Sequence, residues 1–349
     1  MTSTSNETPD YVREVLEERA SVKLVPLCIR GPIHDDPMSP VLICVQRDEL
    51  VRLPDFLRHY RTCGIERFVF IDNGSTDGSR EYLSRQADVD LFDQTGRFNW
   101  KLKQGWINRI IDLYGRNRWY MYADADEHIV FDESKVRTFR ELVSLVSKMG
   151  LCRVRGFLID MYSSGPILSF RHESGARLAD SYPLFDLDVP PENKFIEVMS
   201  MKGGPRSRVF GVGVKQFRPE LTKYPIFTLR EGDFMCNPHH IWPYDLNFAS
   251  PRILGILHYK FMPDFVSRVK KAVEAKTYWD DSFEYRCYDE GLRDNPALAF
   301  EYDRSGRYSC PQSLLDAGLI ERIDWPSPSS TSTIRMLAAA RRHSASLMH

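Results

Sequence analysis

Residues Tyr120–Val130 read YMYADADEHIV and place two aspartates at the end of an apolar, β-prone run. Side chains two positions apart in a strand point to the same side, so Asp124 and Asp126 can approach one cation or one sugar from one direction. Two carboxylates this close repel each other unless a cation or hydrogen-bond donors compensate. An isolated Asp-x-Asp is also compatible with a solvated acidic turn. The neighbouring segments decide between these interpretations.

The segments before this stretch alternate between strand and helix patterns. Short apolar runs predict buried strands over Val41–Val45, Arg67–Ile71, Val89–Phe92 and Trp119–Ala123. Helical spacing and capping residues predict helices over Leu50–Gly64, Arg80–Gln86 and Trp106–Tyr114. Strands alternating with helices imply a mostly parallel sheet with right-handed crossovers. Ligands of such sheets bind outside the carboxyl ends of the strands, where three polar loops follow in this chain.

Four of these segments, in this order, resemble family 2 type glycosyltransferases with the glycosyltransferase A fold. They read CVQRDE at 44–49, FVFIDNGSTDGS at 68–79, WINRIIDLYG at 106–115 and WYMYADADEHIV at 119–130. Three later segments look similar to a bacterial branch of that family: GGPRSRVF at 203–210, LTKYPIF at 221–227 and LGILHYKF at 254–261. The resemblance covers residues 40 to 290. It implies an α/β fold of glycosyltransferase A type, with a mostly parallel Rossmann-like sheet flanked by helices and a fused acceptor-binding half.

The resemblance implies that these loops bind a nucleoside diphosphate sugar. Donor contacts are predicted for Arg47, Glu49, Asp72, Asn73, Asn108, Asp124, Arg206 and Lys223. An acceptor-only carboxylate such as that of Asp72 suits the imide N–H of uracil or the amine edge of guanine. Each position also has an ordinary interpretation: Asp72 and Asn73 can simply form a turn, and the basic residues can belong to a solvated surface.

The resemblance also implies a divalent metal, Mn²⁺ or Mg²⁺, held by Asp124, Asp126 and His258. The leaving group is a nucleoside diphosphate, whose growing negative charge must be neutralised as the glycosidic bond breaks. His258 follows an apolar run, so a buried core histidine is the alternative interpretation of that residue.

An inverting transfer, which the family resemblance suggests, needs a carboxylate that accepts the proton of the acceptor hydroxyl. The candidates are Glu231 and Asp233, in a loop after the metal motif, and Asp160, which ends another apolar strand. The better-known family pattern has a Glu-Asp pair that is missing here, so the choice stays open. The pair His239–His240 is a further candidate, either as base or as lining of the acceptor groove.

Composition points to a protein of ordinary globular character. The chain has 349 residues, 42% hydrophobic and 27% charged, with a formal charge of −1, which excludes the electrostatic footprint of a nucleic-acid-binding protein. Seven scattered cysteines without a Cys-x-x-Cys pair favour a reducing cytosol over a disulfide framework. No run is long enough for a membrane span, and the polar amino terminus does not resemble a signal sequence. We therefore expect a cytoplasmic protein, with contact at the inner face of the membrane as an option.

The chain is predicted to divide into an N-terminal extension (1–38), a nucleotide-sugar-binding half (39–165), an acceptor-binding and catalytic half (166–325), and a linker with a short basic helix (326–349). Arg335, Arg341 and Arg342 of that helix allow two interpretations, peripheral contact with an anionic membrane and an ordinary exposed helix.

The function expected from these patterns is metal-dependent transfer of a sugar, from a UDP-sugar in preference, to a saccharide or lipid-linked acceptor in bacterial surface polysaccharide synthesis. The alternative is a non-catalytic sugar-nucleotide or glycan-binding protein of the same fold. The missing Glu-Asp pair favours the alternative, and the intact DADE favours the enzyme. A nucleotidyltransferase would show a glycine-rich basic loop after the first strand, and CVQRDE is not one.

Overall fold

The structure is a computed structural model that describes residues 10–326 except positions 34, 97, 174, 196, 197, 215 and 238. Its strands are β1 Val25–Cys28, β2 Val41–Gln46, β3 Phe68–Asp72, β4 Val89–Asp93, β5 Trp119–Tyr122, β6 Glu127–Phe131, β7 Arg153–Asp160, β8 Leu184–Asp186, β9 Glu192–Phe195, β10 Val198–Met201, β11 Thr222–Thr228, β12 Phe234–Met235, β13 Ile241–Trp242, β14 Arg252–His258 and β15 Ser305–Arg307. Its helices are α1 Asp10–Ser21, α2 Leu53–Thr62, α3 Ser79–Ser84, α4 Trp100–Tyr114, α5 Phe139–Lys148, α6 Leu178–Ser181, α7 Gly204–Phe210, α8 Phe265–Ala275, α9 Trp279–Asp294 and α10 Pro311–Asp316.

The main sheet has nine strands in the order β1-β4-β3-β2-β5-β11-β7-β14-β6. Neighbouring strands among β2, β3, β4 and β5 are parallel, and β7 is parallel to β14. The remaining strands, β1, β11 and β6, pair antiparallel with their neighbours. Six of the nine strands therefore point the same way. The predicted α/β fold, with a mostly parallel Rossmann-like sheet flanked by helices, is confirmed.

The continuous apolar run of β2 is buried on both faces of the sheet. Leu42 and Cys44 pack in the core that contains α2, whereas Val41 and Ile43 pack in the core that contains Trp106 of α4. This alternation follows from the two-residue period of a strand. The helices on either face therefore hold β2 rigidly, and the loop that follows Gln46 leaves from a fixed strand end.

Helix boundaries differ from the predicted ones where caps decide them. α4 begins at Trp100 rather than Trp106, because the side chain of Asn99 accepts a hydrogen bond of 2.8 Å from the backbone N–H of Lys101. α2 ends at Thr62, and Gly64 follows with a φ of +83°, the left-handed conformation that glycine adopts readily after a helix. The longer α4 carries Lys103 towards the carboxyl end of β5.

The two predicted halves contribute to a single sheet. β11, from the second half, lies between β5 and β7 of the first half. The segment before residue 39 also joins the sheet, since β1 pairs with β4. The predicted basic helix with Arg335, Arg341 and Arg342 lies outside the described residues. Within the described residues, no helix is both long enough and apolar enough to cross a membrane.

Candidate functional site

The carboxyl ends of β2, β3, β5, β7 and β14 lie along one edge of the sheet, because these strands point the same way. A cavity of about 1190 Å³ opens at this edge between the strand-end loops, α8 and the beginning of α9. It brings together residues that are far apart in the sequence and that the sequence analysis singled out: Arg47, Glu49, Asn73, Asp124, Asp126 and His258. A cavity at the strand ends is where α/β sheets bind ligands.

Asp124 is held by cationic and hydroxyl donors from inside the protein. The Nζ of Lys103 donates to Oδ1 of Asp124 at 2.5 Å, and the hydroxyl of Tyr122 donates to the same atom at 2.6 Å. The Nζ of Lys223 lies 3.6 Å from Oδ2 of Asp124. Burial alone would raise the pKa of Asp124, but Lys103 and Lys223 outweigh it and lower this pKa to about 2. Asp124 is therefore ionised, and its charge is already compensated.

Asp126 faces a histidine instead. The Nδ1 of His258 donates to Oδ1 of Asp160 at 2.7 Å, and the Nε of Arg206 donates to Oδ2 of Asp160 at 2.8 Å. Since this buried carboxylate holds Nδ1 as the protonated nitrogen, Nε2 of His258 is left facing Oδ2 of Asp126, 3.5 Å away. Burial would lower the pKa of His258, but Asp126 and Asp160 outweigh it and raise this pKa.

These residues fit a divalent cation. One ligand atom each from Asp126, Glu127 and His258 lie within 4.8 Å of one another. A carboxylate behind a histidine, as Asp160 is here, is the usual support of a metal-bound imidazole. One nitrogen and two carboxylate oxygens suit Mn²⁺ better than Mg²⁺, which prefers oxygen alone. In this group Glu127 stands where the sequence analysis had Asp124, and both carboxylates are paired inside the protein: Asp124 with Lys103 and Tyr122, and Glu127 with Lys223.

An ion-pair network ties the β2 loop to α8. Arg52 donates to both carboxylate oxygens of Asp264 at 2.9 Å and to Glu49 at 3.0 Å. Arg268 donates to the other oxygen of Glu49 at 2.6 Å. Glu49 lines the cavity, as its predicted nucleoside contact requires, but both of its carboxylate oxygens are bonded inside the protein. Its observed contacts position α8 against the loop.

Asp72, the predicted base contact, and Asn73, a predicted donor contact, have different environments. Asp72 is fully buried, and its oxygens accept from Gln46 at 2.6 Å and from Arg80 at 2.7 Å, so it stabilises the loop instead of lining the cavity. The Nδ2 of Asn73 donates to the carbonyl oxygens of Gln94 at 2.6 Å and Gly96 at 3.0 Å. This fixes the orientation of the amide and leaves its buried Oδ1 without a partner among the described residues. Asn73 as a residue lines the cavity, and its unpartnered Oδ1 is buried beside it.

Arg206 and Lys223, both predicted to contact the donor, instead make their contacts inside the protein. Arg206 bonds Asp160 and, at 3.0 Å, Glu284, and Lys223 bonds Glu127. Both cations are buried and neither lines the cavity. They support the carboxylates of the site, because a buried charge is stable only when it is paired.

Asn108 lies outside the cavity as well. Its side chain donates to the carbonyl oxygen of Met235 at 2.7 Å and accepts from the backbone N–H of Met235 at 2.9 Å. The amide thus fixes β12 to α4, which is a structural role in place of the predicted donor contact.

Glu231 and Asp233 lie at the wrong edge of the sheet for the predicted role as base. Thr228, the last residue of β11, pairs with Trp119, the first residue of β5. The loop after β11 is therefore at the amino end of β5, whereas the Asp-x-Asp follows its carboxyl end. Arg116 confirms this position, since it donates to the backbone carbonyl of Asp233 at 2.9 Å. Asp160 alone among the three candidates lies near Asp126 and His258, and its oxygens are bonded to His258 and Arg206.

The sequence analysis missed the cationic wall of the cavity, which is formed by Lys260 just after β14 and by Arg268 and Lys271 of α8. Lys260, Arg268 and Lys271 line the cavity. Lys260 donates to Glu284 at 3.1 Å and lies 4.9 Å from the centre of the Tyr285 ring. Lys260 lies two residues after His258, and Arg268 and Lys271 lie three residues apart on α8. Spacings of this kind favour side chains on one face, so they are the sequence signal for these cations.

Comparison with protein-family models and with curated proteins finds no match. Among solved structures, the chain is similar to S. aureus TarS 1-349, with 10% identity, 41% of this chain and 49% of that chain covered and a TM-score of 0.24. It is also similar to 4-diphosphocytidyl-2C-methyl-D-erythritol synthase, with 12% identity, 40% of this chain and 65% of that chain covered and a TM-score of 0.25. A third similar structure is a UDP-glucose pyrophosphorylase from Acinetobacter baumanii, with 10% identity, 88% of this chain and 99% of that chain covered and a TM-score of 0.27. The chain spans about half the length of the TarS chain and less than two thirds of the synthase. At these identities and TM-scores, the similarity gives no information about activity. The proposed function therefore rests on the residues of the site.

Proposed function

We propose that the protein is a glycosyltransferase that depends on a divalent cation and takes a sugar from a nucleoside diphosphate donor. The observation that carries this proposal is the pair Asp126 and His258 at one end of a large cavity that also contains Lys260, Arg268 and Lys271. Asp126, Glu127 and His258 would hold the cation, which supplies positive charge to the diphosphate when it is bound.

The cationic wall matches the charge of the leaving group. Lys271 has no ion-pair partner among the described residues, and Arg47 is 58% exposed with its Nε 3.8 Å from Asp48. Cations that are not neutralised by close carboxylates are available to phosphate oxygens. Lys260 and Arg268 have partners of their own, and they add to the positive potential of the same wall.

Asn73 supports a donor base that carries a ring N–H. Its unpartnered Oδ1 is a buried acceptor, which costs free energy unless a ligand donates to it. The imide N–H of uracil meets this requirement, so a UDP-sugar is the donor that we favour. The acceptor is a saccharide, either free or lipid-linked.

A second function is favoured by the positions of the candidate bases. Glu231 and Asp233 lie at the other edge of the sheet, and Asp160 is bonded to His258 and Arg206. A protein with a donor site and no working base would bind a sugar nucleotide without transferring it. The two functions differ in turnover and agree in nucleotide binding.

The test is calorimetric titration of the full chain with UDP and with GDP, first with Mn²⁺ and then with the metal chelated. We expect micromolar, Mn²⁺-dependent binding of UDP. Binding of neither nucleotide would overturn the donor site. In a second step, a set of UDP-sugars is incubated with the protein and released UDP is measured. UDP release supports the transferase, and tight binding without release supports the binding protein.

A further inference from the structure

Two adjacent aromatic side chains, Tyr278 and Trp279, are exposed beside the cavity. Tyr278 is 38% exposed and Trp279 is 66% exposed. Among the described residues, no other Phe, Tyr or Trp side chain is as exposed as these two. The other described tryptophans are buried or half-buried. An exposed indole forgoes the hydrophobic stabilisation of burial, so an exposed aromatic pair beside a functional cavity points to a ligand.

The corner between α8 and α9 places this pair at the rim of the site. Thr277, Tyr278 and Tyr285 line the cavity, and the Tyr278 ring centre lies 4.6 Å from that of Tyr285 and 5.2 Å from that of Phe98. Trp279 follows Tyr278 directly and is exposed; it adjoins the cavity lining without belonging to it, and it has no ring contact within the part of the chain that the structure describes.

The backbone of this corner is held in an unusual conformation. Asp280, Asp281 and Ser282 have φ values of +50°, +51° and +62°. Non-glycine residues rarely adopt this left-handed conformation, and those that do cluster at ligand sites. The side chain of Ser282 is buried, and its backbone N–H donates to the carbonyl oxygen of Tyr278 at 3.3 Å. The corner is therefore a formed turn that presents Trp279 outward.

The chemistry of the corner fits a neutral sugar. A pyranose ring has apolar C–H faces, which stack on an indole, and a rim of hydroxyl groups, which donate to carboxylates. Asp280 and Asp281 are exposed carboxylates directly after Trp279. The carboxylates of Asp280 and Asp281 disfavour a phosphate, although Arg286, which donates to the backbone carbonyl oxygens of both residues, offsets part of their charge. The cations inside the cavity suit the diphosphate of the donor better.

We propose that Trp279, with Asp280 and Asp281, forms the subsite for the accepting saccharide, a neutral pyranoside that stacks on the indole at the mouth of the cavity. This inference rests on the proposed function, since the sugar bound here would present its hydroxyl to the donor. A free oligosaccharide and the sugar of a glycolipid share the required chemistry.

The first test is an array of neutral glucosides, galactosides, rhamnosides and N-acetylglucosaminides probed with the full chain, followed by calorimetry on the best ligand. We expect Trp279→Ala to weaken binding by about fivefold to tenfold, and Trp279→Phe to restore most of it, because stacking needs a ring. Val136→Ala is the control, since Val136 is 78% exposed in the turn after β6, and it should leave binding unchanged.

A parallel arm uses vesicles with and without a glycolipid of the same sugar, and a third readout is Mn²⁺-dependent UDP binding by each variant. Binding to sugar-bearing vesicles that falls with Trp279→Ala supports a lipid-linked source. Absence of any glycan binding, glycan binding that is indifferent to Trp279→Ala, or Trp279-dependent binding to sugar-free vesicles would overturn the subsite. Loss of UDP binding in Trp279→Ala would also overturn it, since Trp279 would then serve the donor. Failure of the proposed function shows separately, as absent UDP binding in the unmodified protein.

Discussion

Asp124 and Asp126 are two positions apart, yet their surroundings differ in kind. The lysine side of the site, formed by Lys103 and Lys223 around Asp124, compensates its carboxylate from within the protein. The histidine side, formed by His258 and Asp160 around Asp126, presents a carboxylate and a ring nitrogen to the same point. One side therefore has its charges balanced internally, and the other leaves two ligand atoms for an external cation. The spacing of an Asp-x-Asp alone does not distinguish these roles.

Removal of Asp126 should have the largest effect on nucleotide binding, because Asp126 belongs to the histidine side. Asp126→Ala removes one of the three proposed cation ligands, while the neighbouring carboxylates of Asp124 and Glu127 are paired with lysines, and we expect Mn²⁺-dependent UDP binding to fall by about 100-fold or more. Titration calorimetry measures this loss, with Asp303→Ala, a change in an exposed turn, as the control. UDP binding that survives in Asp126→Ala would contradict the assignment of the histidine side as the metal site.

Removal of the support behind His258 should have the next largest effect. Asp160→Ala frees the ring of His258 and should weaken Mn²⁺ binding by about 10- to 100-fold, the usual cost of losing such a partner. It also leaves the buried Arg206 with Glu284 alone, which we expect to lower the free energy of unfolding by about 3 kcal/mol.

The double variant Asp160→Ala with Arg206→Met separates these two effects. Without the unpaired guanidinium, the free energy of unfolding should recover while Mn²⁺ affinity stays low. Recovery of both quantities would mean that Asp160 acts on folding and not on the orientation of His258. Thermal unfolding and Mn²⁺ titration of the same samples provide the two readouts.

A substitution on the lysine side should have the opposite pattern, with UDP binding weakened and Mn²⁺ affinity nearly unchanged. Lys103→Met leaves Asp126 and His258 intact, so Mn²⁺ affinity should stay within about twofold, whereas UDP binding should weaken by about tenfold because the site loses a positive charge. Lys101→Met on the same helix is the matched control, since Lys101 pairs with Glu14 outside the cavity. An equal loss of Mn²⁺ affinity in Lys103→Met would show that the two sides act as one.

The smallest effect is expected at the opposite edge of the sheet. Glu231→Gln should change UDP binding and UDP release by less than about twofold, because surface substitutions away from a site have little effect. A variant that binds UDP normally but no longer turns over would identify Glu231 as the base, against the register of β11 and β5.

Local patterns were sufficient for much of this architecture. The runs that became β2, β3, β4 and β5 are recognisable because a fully buried parallel strand must be apolar along its whole length. The loops that bear Asn73 and Asp126 follow those strands directly, so their common edge could be predicted. The start of α4 was not predicted because its N-cap, Asn99, lies before Trp106, and the helical spacing of apolar residues becomes clear only from Trp106 onward.

The sequence by itself determined β2, β3, β4 and β5, their alternation with helices and the place of the Asp-x-Asp, because each depends on residues close together in the chain. Only the tertiary structure decided that Lys103 holds Asp124, that Asp160 supports His258 and that Glu231 lies at the far edge. These facts depend on strand order and direction: β14 runs parallel to β7, which brings Asp160 beside His258, and β11 runs antiparallel to β5, which carries its following loop away from the site. Pairing between strands distant in sequence is decided by the packing of the whole sheet, and no local period records it.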